Sequence, residues 1–259
     1  MLRERLKNLY LYRHALWDMA VKQLEAKYTT SFLGILWAII TPLLIMSVIS
    51  FVFTVIFKVA IKNFPLFILS GIYPWLFFSS GLSEASATIL NKQTILRQFN
   101  LPREILPLSS CLSSFLNFLI GWLVIYPIFL FFNPKIILYL PLLILILLLH
   151  FVFLCGLSLS LSILNIFFRD VEHLLGTVLM FWLWMTPVFY SIEMVPEEFR
   201  WLCNLNPMTS YIIYYGDVMY RAVIPNFTTV ISVFLWGFLS IISGWLLFLR
   251  LEAKILKRI

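Results

Sequence analysis

The sequence predicts an all-α integral membrane protein with six transmembrane helices per protomer. Three observations carry this expectation. Of 259 residues, 62% are hydrophobic and only 12% are charged, where a soluble domain carries roughly 25% charged residues. Mean hydropathy is +0.97. The charges are expelled from six stretches, 28–57, 63–83, 105–134, 136–168, 173–192 and 222–249, each of 20 to 33 residues. A helix needs about 20 mostly apolar residues to cross a hydrocarbon core of roughly 30 Å. The spans are helices because each must satisfy its own backbone in lipid, and the alternation of an outer-membrane barrel strand is absent. A soluble enzyme, a disordered chain and a coiled coil are excluded at this composition.

The whole chain, 1–259, reads as one transmembrane domain, its expected spans falling at 28–57, 64–88, 105–132, 136–166, 173–191 and 226–249. Residues 1–27 precede them. Six basic residues there interleave with Leu6, Leu9, Tyr10, Leu16, Trp17, Ala20 and Leu24, which form one stripe at helical spacing. The segment has no short apolar core followed by a small-residue cleavage site, so it is no cleavable signal peptide. It reads as an amphipathic helix lying in the membrane interface among lipid headgroups, either a plain anchor or a functional part.

An even number of spans puts both termini on one side. That side holds 14 Lys and Arg: six up to Lys27, then Lys92, Arg97, Arg103, Arg169 and four from Arg250 onward. The other side holds five: Lys58, Lys62, Lys135, Arg200 and Arg221. The positive-inside rule makes both termini cytoplasmic in a multi-pass protein of the cell's inner membrane.

Two connections stand out. The segment 91–103 is long enough for about two helical turns before Pro102 stops them. Its Ile95, Leu96 and Phe99 are apolar on the water side, which suits a docking surface or a dip into the headgroups. The segment 193–216 begins with Glu193, Glu197, Glu198 and Arg200. It then runs without charge from Trp201 to Gly216, broken at Asn206-Pro207. It is too short to span and too apolar for an open loop. It reads as a re-entrant hairpin beside a wet cavity, or as a pair of interfacial helices.

Small polar residues recur at steps of three and four: Ser47, Ser50 and Thr54; Ser110, Ser113, Ser114, Asn117 and Gly121; Ser158, Ser162 and Asn165; Gly237, Ser240 and Gly244. Such faces allow close helix packing, or they line a polar passage. No span centre carries a paired acid and base. Glu84 sits at the end of the second span, and His150 is the one titratable group deep in a span, suited to a hydrogen-bonded core. That argues against an ion-driven carrier. The 45 aromatic residues exceed what interfacial belts need. They are either belts plus lipid-facing bulk or, because aromatic faces stack on the C–H faces of sugars, a surface past which a neutral glycan could slide. Tyr28, Trp37, Tyr73, Trp75 and Tyr190 are the candidates for such a passage.

No nucleotide-cradling loop, catalytic triad or set of metal-ligand spacings is present, and Cys111, Cys155 and Cys203 read as small buried hydrophobes. A membrane glycolipid enzyme would need clustered acids or a His–Asp pair at one face. Glu193, Glu197 and Glu198 are the one such cluster and read as a solvated turn.

Six segments together resemble a known family. They are Lys27-Tyr28-Thr29-Thr30-Ser31-Phe32-Leu33-Gly34-Ile35-Leu36-Trp37 followed by Pro42, then Gly71-Ile72-Tyr73-Pro74-Trp75-Leu76-Phe77-Phe78, then Phe99-Asn100-Leu101-Pro102-Arg103-Glu104-Ile105-Leu106-Pro107. Phe168-Arg169-Asp170, Thr186-Pro187-Val188-Phe189-Tyr190 and Leu205-Asn206-Pro207-Met208 complete the order. The chain resembles the permease subunits of type-2 ABC transporters that export bacterial polysaccharide, the Wzm-type and teichoic-acid-type group. The resemblance implies a half-transporter that forms a homodimeric channel and binds two copies of a nucleotide-binding ATPase subunit. ATP and Mg would sit on that partner, and this chain would bind no cofactor. Residues 91–103 would be the coupling helix, with Ile95, Leu96, Arg97, Phe99 and Arg103 as its contacts. The 193–216 segment would form gate helices through Glu193, Trp201, Asn206, Pro207 and Tyr211. The implied substrate is an undecaprenyl-linked polysaccharide such as O-antigen. Teichoic acid, capsule, another glycolipid or a drug are alternatives, and no nucleic acid is involved.

Overall fold

The structure, a computed structural model, describes residues 7, 9–29, 31–99, 101–168 and 170–255, the side chains of 95, 97 and 253–255 excepted. Among the described residues the regular structure is entirely helical, with no strand. Five segments are long and apolar enough to cross a membrane: Gly34–Ile56, Phe64–Asn91, Ile105–Phe132, Pro134–Phe167 and Phe227–Glu252. A sixth apolar helix, Val171–Met185, is shorter. The protein is a multi-pass all-α membrane protein.

Helix α1 (Arg13–Tyr28) lies against the later helix over Ile105–Phe132, with Ala20 fully buried and Gln23 donating to the Ser109 hydroxyl at 3.0 Å. The expected stripe divides between two faces. Ala20 points inward, whereas Tyr10 and Trp17 are 68% and 51% exposed, available to headgroups. Leu6 lies outside the described residues.

One continuous span over 28–57 does not form. The chain leaves α1 at Tyr28 and turns, with Gly34 at φ +51°. Glycine tolerates that left-handed conformation because it has no Cβ. A 3-10 turn (Gly34–Leu36) then leads into α2 (Trp37–Phe51), which contains Pro42 and ends in a π-helical turn, Val52–Ile56.

The next helix, α3 (Phe64–Asn91), starts behind Asn63 at φ 49°, with Pro65 in its first turn. Two-thirds of its apolar window is buried, against about a tenth for the first span, so α3 is the centre of the bundle. The short α4 (Gln93–Gln98) follows, then α5 (Ile105–Phe132), a 3-10 turn (Pro134–Tyr139) and α6 (Leu140–Phe167). Helix α7 (Val171–Met185) stops before Pro187, which has no N–H to continue a helix. At about 22 Å long it falls short of a full crossing, whereas the sequence suggested a span over 173–191.

Beyond α7 the chain caps one end of the bundle. Helices α8 (Arg200–Leu205) and α9 (Pro207–Tyr215) flank Asn206, a π-helical turn covers Gly216–Arg221, and α10 (Phe227–Ile255) closes the fold. Helix α10 packs chiefly on α6, and α3 on α5 and α6. The α6–α10 contact uses the small-residue face seen in the sequence: Ser240 and Gly244 lie against Gly156, and Gly237 faces the Leu149 carbonyl oxygen of α6 and the Tyr211 hydroxyl. Small residues bring helix backbones together where lipid supplies no hydrophobic drive.

Candidate substrate passage and gate

The central groove is built where α1 ends and α2 begins. Tyr28 and Trp37 flank the turn that Gly34 permits, and both face α3 and α5 across a cavity of about 550 Å³. Tyr73 lines the same cavity, its hydroxyl donating to the Phe118 carbonyl at 2.7 Å. Three of the five aromatic candidates therefore share one cavity. Trp75 does not. It is buried against Phe78 and Trp182. Two residues along a helix turn about 200°, so Tyr73 and Trp75 cannot share a face. Tyr190 lies elsewhere too, its hydroxyl donating to the Trp184 carbonyl at 3.1 Å near the capped end.

The rest of the lining is polar. Ser79, Ser80, Ser83 and Glu84 come from α3, Ser114 and Asn117 from α5, and Thr41 from α2. Lys27 reaches Glu84 at 2.6 Å, Ser114 donates to the same carboxylate at 3.2 Å, and Tyr28 donates to Asn117 at 2.5 Å. This ion pair is the main feature that sequence reasoning missed. The spans do not contain its cation; the end of α1 supplies it. The available signal was that Lys27 is the last charge before the first silent stretch and Glu84 the first after the second.

Helices α2 and α7 expose apolar faces beside the cavity. Leu44, Val48, Phe51 and Val55 protrude from the first span, and Leu174, Val178, Phe181 and Trp184 from α7.

In the 91–103 segment the apolar candidates separate. Leu96 is half-buried and packs with the cluster around Ile89, Leu106 and Phe248, while Phe99 is 59% exposed. Arg103 donates to the Glu252 carbonyl at 2.7 Å, with the Glu252 carboxylate at 3.9 Å, so it ties the loop to α10. The side chains of Ile95 and Arg97 lie outside the described residues. Burial pushes the Lys92 ammonium below its ordinary pKa.

Asn206 anchors the capping segment between α8 and α9. Its Oδ1 accepts from Trp182 Nε1 at 2.6 Å and from the Met208 N–H at 3.0 Å. Its Nδ2 donates to Thr186 Oγ1 at 2.9 Å and to the Met185 carbonyl at 3.3 Å. Pro207 starts α9, where a missing N–H costs nothing. Trp201 is exposed, and Glu193 meets Arg221 at 3.9 Å. Tyr211 is fully buried instead, donating to the Val233 carbonyl at 3.1 Å. It stacks with Phe153 and packs at a tilt against His150, whose Nδ1 lies 3.4 Å from the Tyr215 hydroxyl. His150 thus belongs to a buried aromatic core.

Among the described residues no group of His, Cys, Asp or Glu could hold a metal ion. These features define a multi-pass membrane protein with a polar, aromatic groove among its helices. A family profile described as ABC-2 type transporter matches residues 14–220. The chain belongs to that family. It is 30% identical over 241 residues, 90% of each chain, to a Klebsiella pneumoniae protein named O-antigen export system permease protein RfbA. It is 29% identical over 246 residues to a Myxococcus xanthus protein of the same name, covering 92% of this chain and 95% of the relative.

Proposed function

We propose that this protein is the channel-forming permease subunit of an ATP-driven exporter that moves an undecaprenyl-linked polysaccharide of the O-antigen kind from cytoplasm to periplasm. The observation that carries the reading is the 550 Å³ cavity, where Tyr28, Trp37 and Tyr73 stand among serines, Asn117 and Glu84. Aromatic faces for sugar C–H surfaces beside hydroxyl and amide partners suit a neutral glycan, and curated relatives over nine-tenths of the chain are named for O-antigen export.

In this reading two copies join through the exposed faces of α2 and α7, so that their cavities merge into one passage in the inner membrane. A separate ATPase pair carries ATP and Mg and seats α4 with Phe99 at its surface, on the cytoplasmic side that holds both termini. Movement of that loop passes through Arg103 to α10 and through Lys27–Glu84 to the cavity. The capping segment around Asn206 and Trp201 forms the periplasmic gate.

Deleting the gene from a host with a lipid-linked O-polysaccharide should abolish surface polysaccharide and leave the lipid-linked polymer inside. Complementation by this chain with its cognate ATPase restores display. Unchanged display after deletion contradicts the proposal. Accumulation of a lipid-linked teichoic acid or capsule instead redirects the substrate within the same class.

A further inference from the structure

A second cavity, of about 390 Å³, opens at the capped end of the bundle, away from the passage. That falls in the roughly 300–1,000 Å³ range of small-molecule pockets. Its polar rim is Lys62, Asn63, Asn133, Tyr220 and Arg221; its buried floor includes Phe129, Ile136 and Met219, and Phe132 lines its exposed edge. No acidic side chain is among its lining residues.

The cations there are conspicuous because that end has so few. Of its five lysines and arginines, Lys62 and Arg221 line this cavity, and Lys135 stands between Asn133 and Ile136, which also line it. Arg221 meets Asp217 at 3.4 Å and Glu193 at 3.9 Å, one contact from each terminal nitrogen. A guanidinium has five N–H donors, so these contacts leave capacity for a further anion. The N-terminus of the 28-residue α3 begins at the rim, behind Asn63, and adds its positive dipole end. Tyr220 donates to the Lys62 carbonyl and ties the two cationic segments together. On the outer side, Phe131 and Phe132 at the end of apolar α5 are 84% and 58% exposed, a surface for hydrocarbon beside a surface for anionic oxygen.

We propose that this cavity binds the phosphate or pyrophosphate head of an amphiphile, with Lys62 and Arg221 pairing to its oxygens and its chain lying along Phe132. Phosphate oxygens take the charge-assisted hydrogen bonds that Arg and Lys offer. The same chemistry comes from two sources, an anionic phospholipid of the surrounding leaflet or a polyprenyl pyrophosphate carrier, and the test separates them.

The intact permease–ATPase complex in detergent is titrated with phosphatidylglycerol, with geranylgeranyl pyrophosphate and with uncharged geranylgeraniol, and bound probe is counted by native mass spectrometry. At least one phosphate probe should bind more than about tenfold tighter than geranylgeraniol, and Lys62→Ser with Arg221→Gln should lose about tenfold for each cation removed. Lys22→Ser, at the other end of the molecule, should change nothing. Preference for the prenyl pyrophosphate alone identifies the carrier; binding of phosphatidylglycerol identifies a leaflet lipid. Equal binding of all three probes, or full retention in the double variant, overturns the site. Should Arg221→Gln disturb folding, Lys62→Ser alone, at an exposed position, must still weaken the phosphate probe or the site is refuted. Export is not read, so this result stands or falls apart from the transport function.

Discussion

Gly244 of α10 rests directly on Gly156 of α6. A methyl group built on Gly244 would stand 2.0 Å from the Gly156 carbonyl oxygen, and one on Gly156 would stand 2.3 Å from the Ser240 carbonyl carbon. The obstacle is backbone in both directions, so no side chain can swing away. Gly156→Ala and Gly244→Ala should each push the helices apart and cost about 1–3 kcal/mol, the usual penalty of overpacking. A thermal melt of the purified protein reads this directly. Gly176→Ala, with open space around it, is the matched control and should melt with the parent.

The Lys27–Glu84 pair joins α1 to the wall of the central cavity at 2.6 Å, with side chains 27% and 39% exposed. At that exposure the pair contributes no more than about 1 kcal/mol to stability, so its reversal tests function rather than folding. Lys27→Glu or Glu84→Lys should lower polysaccharide export while the protein still inserts, and the double swap should recover most of it. Equal export from both single variants would detach the pair from transport.

Asn206 gathers Trp182, Thr186, Met185 and Met208 around one side chain. Asn206→Ala leaves the indole N–H of Trp182 without its acceptor, at roughly 1–3 kcal/mol for that group alone. Faster proteolysis between α7 and α10, with a lowered melting point, is the expected result. An unchanged melt would show that the capping segment is held by other contacts.

Phe99 and Leu96 should behave oppositely although they are three residues apart on one short segment. Phe99 is exposed, and Phe99→Ala should reduce transport per ATP hydrolysed in the assembled complex without lowering the melting point. Leu96 packs into the cluster with Phe248, and Leu96→Ala should destabilise the chain first. Reversing Arg103 is a poorer probe of docking, because it also breaks the tie to Glu252.

The six silent stretches were legible because lipid excludes charge and leaves a long apolar run wherever a helix crosses. The break at Asn206-Pro207 was legible because proline at the first turn of a helix marks a restart. The start of the first span was less so. Composition alone runs 28–57 together, whereas the positive φ at Gly34 is a conformational fact that only coordinates display. Of the aromatic candidates, Tyr28, Trp37 and Tyr73 share a cavity, and Trp75 and Tyr190 do not. Hydropathy cannot say which way a ring faces once every side of a helix is apolar.

What the sequence by itself determined was membership of the membrane class, the number of apolar stretches and the placement of its scarce charge. Each is a one-dimensional consequence of the cost of burying a charge or an unsatisfied backbone group in hydrocarbon. What only the tertiary structure decided was pairing: Lys27 with Glu84, Gly156 with Gly244, Arg103 with Glu252, and Lys62 beside Arg221. These partners are far apart in the chain, and in an apolar solvent their selection rests on shape and on a few polar contacts, which no local pattern of residues encodes.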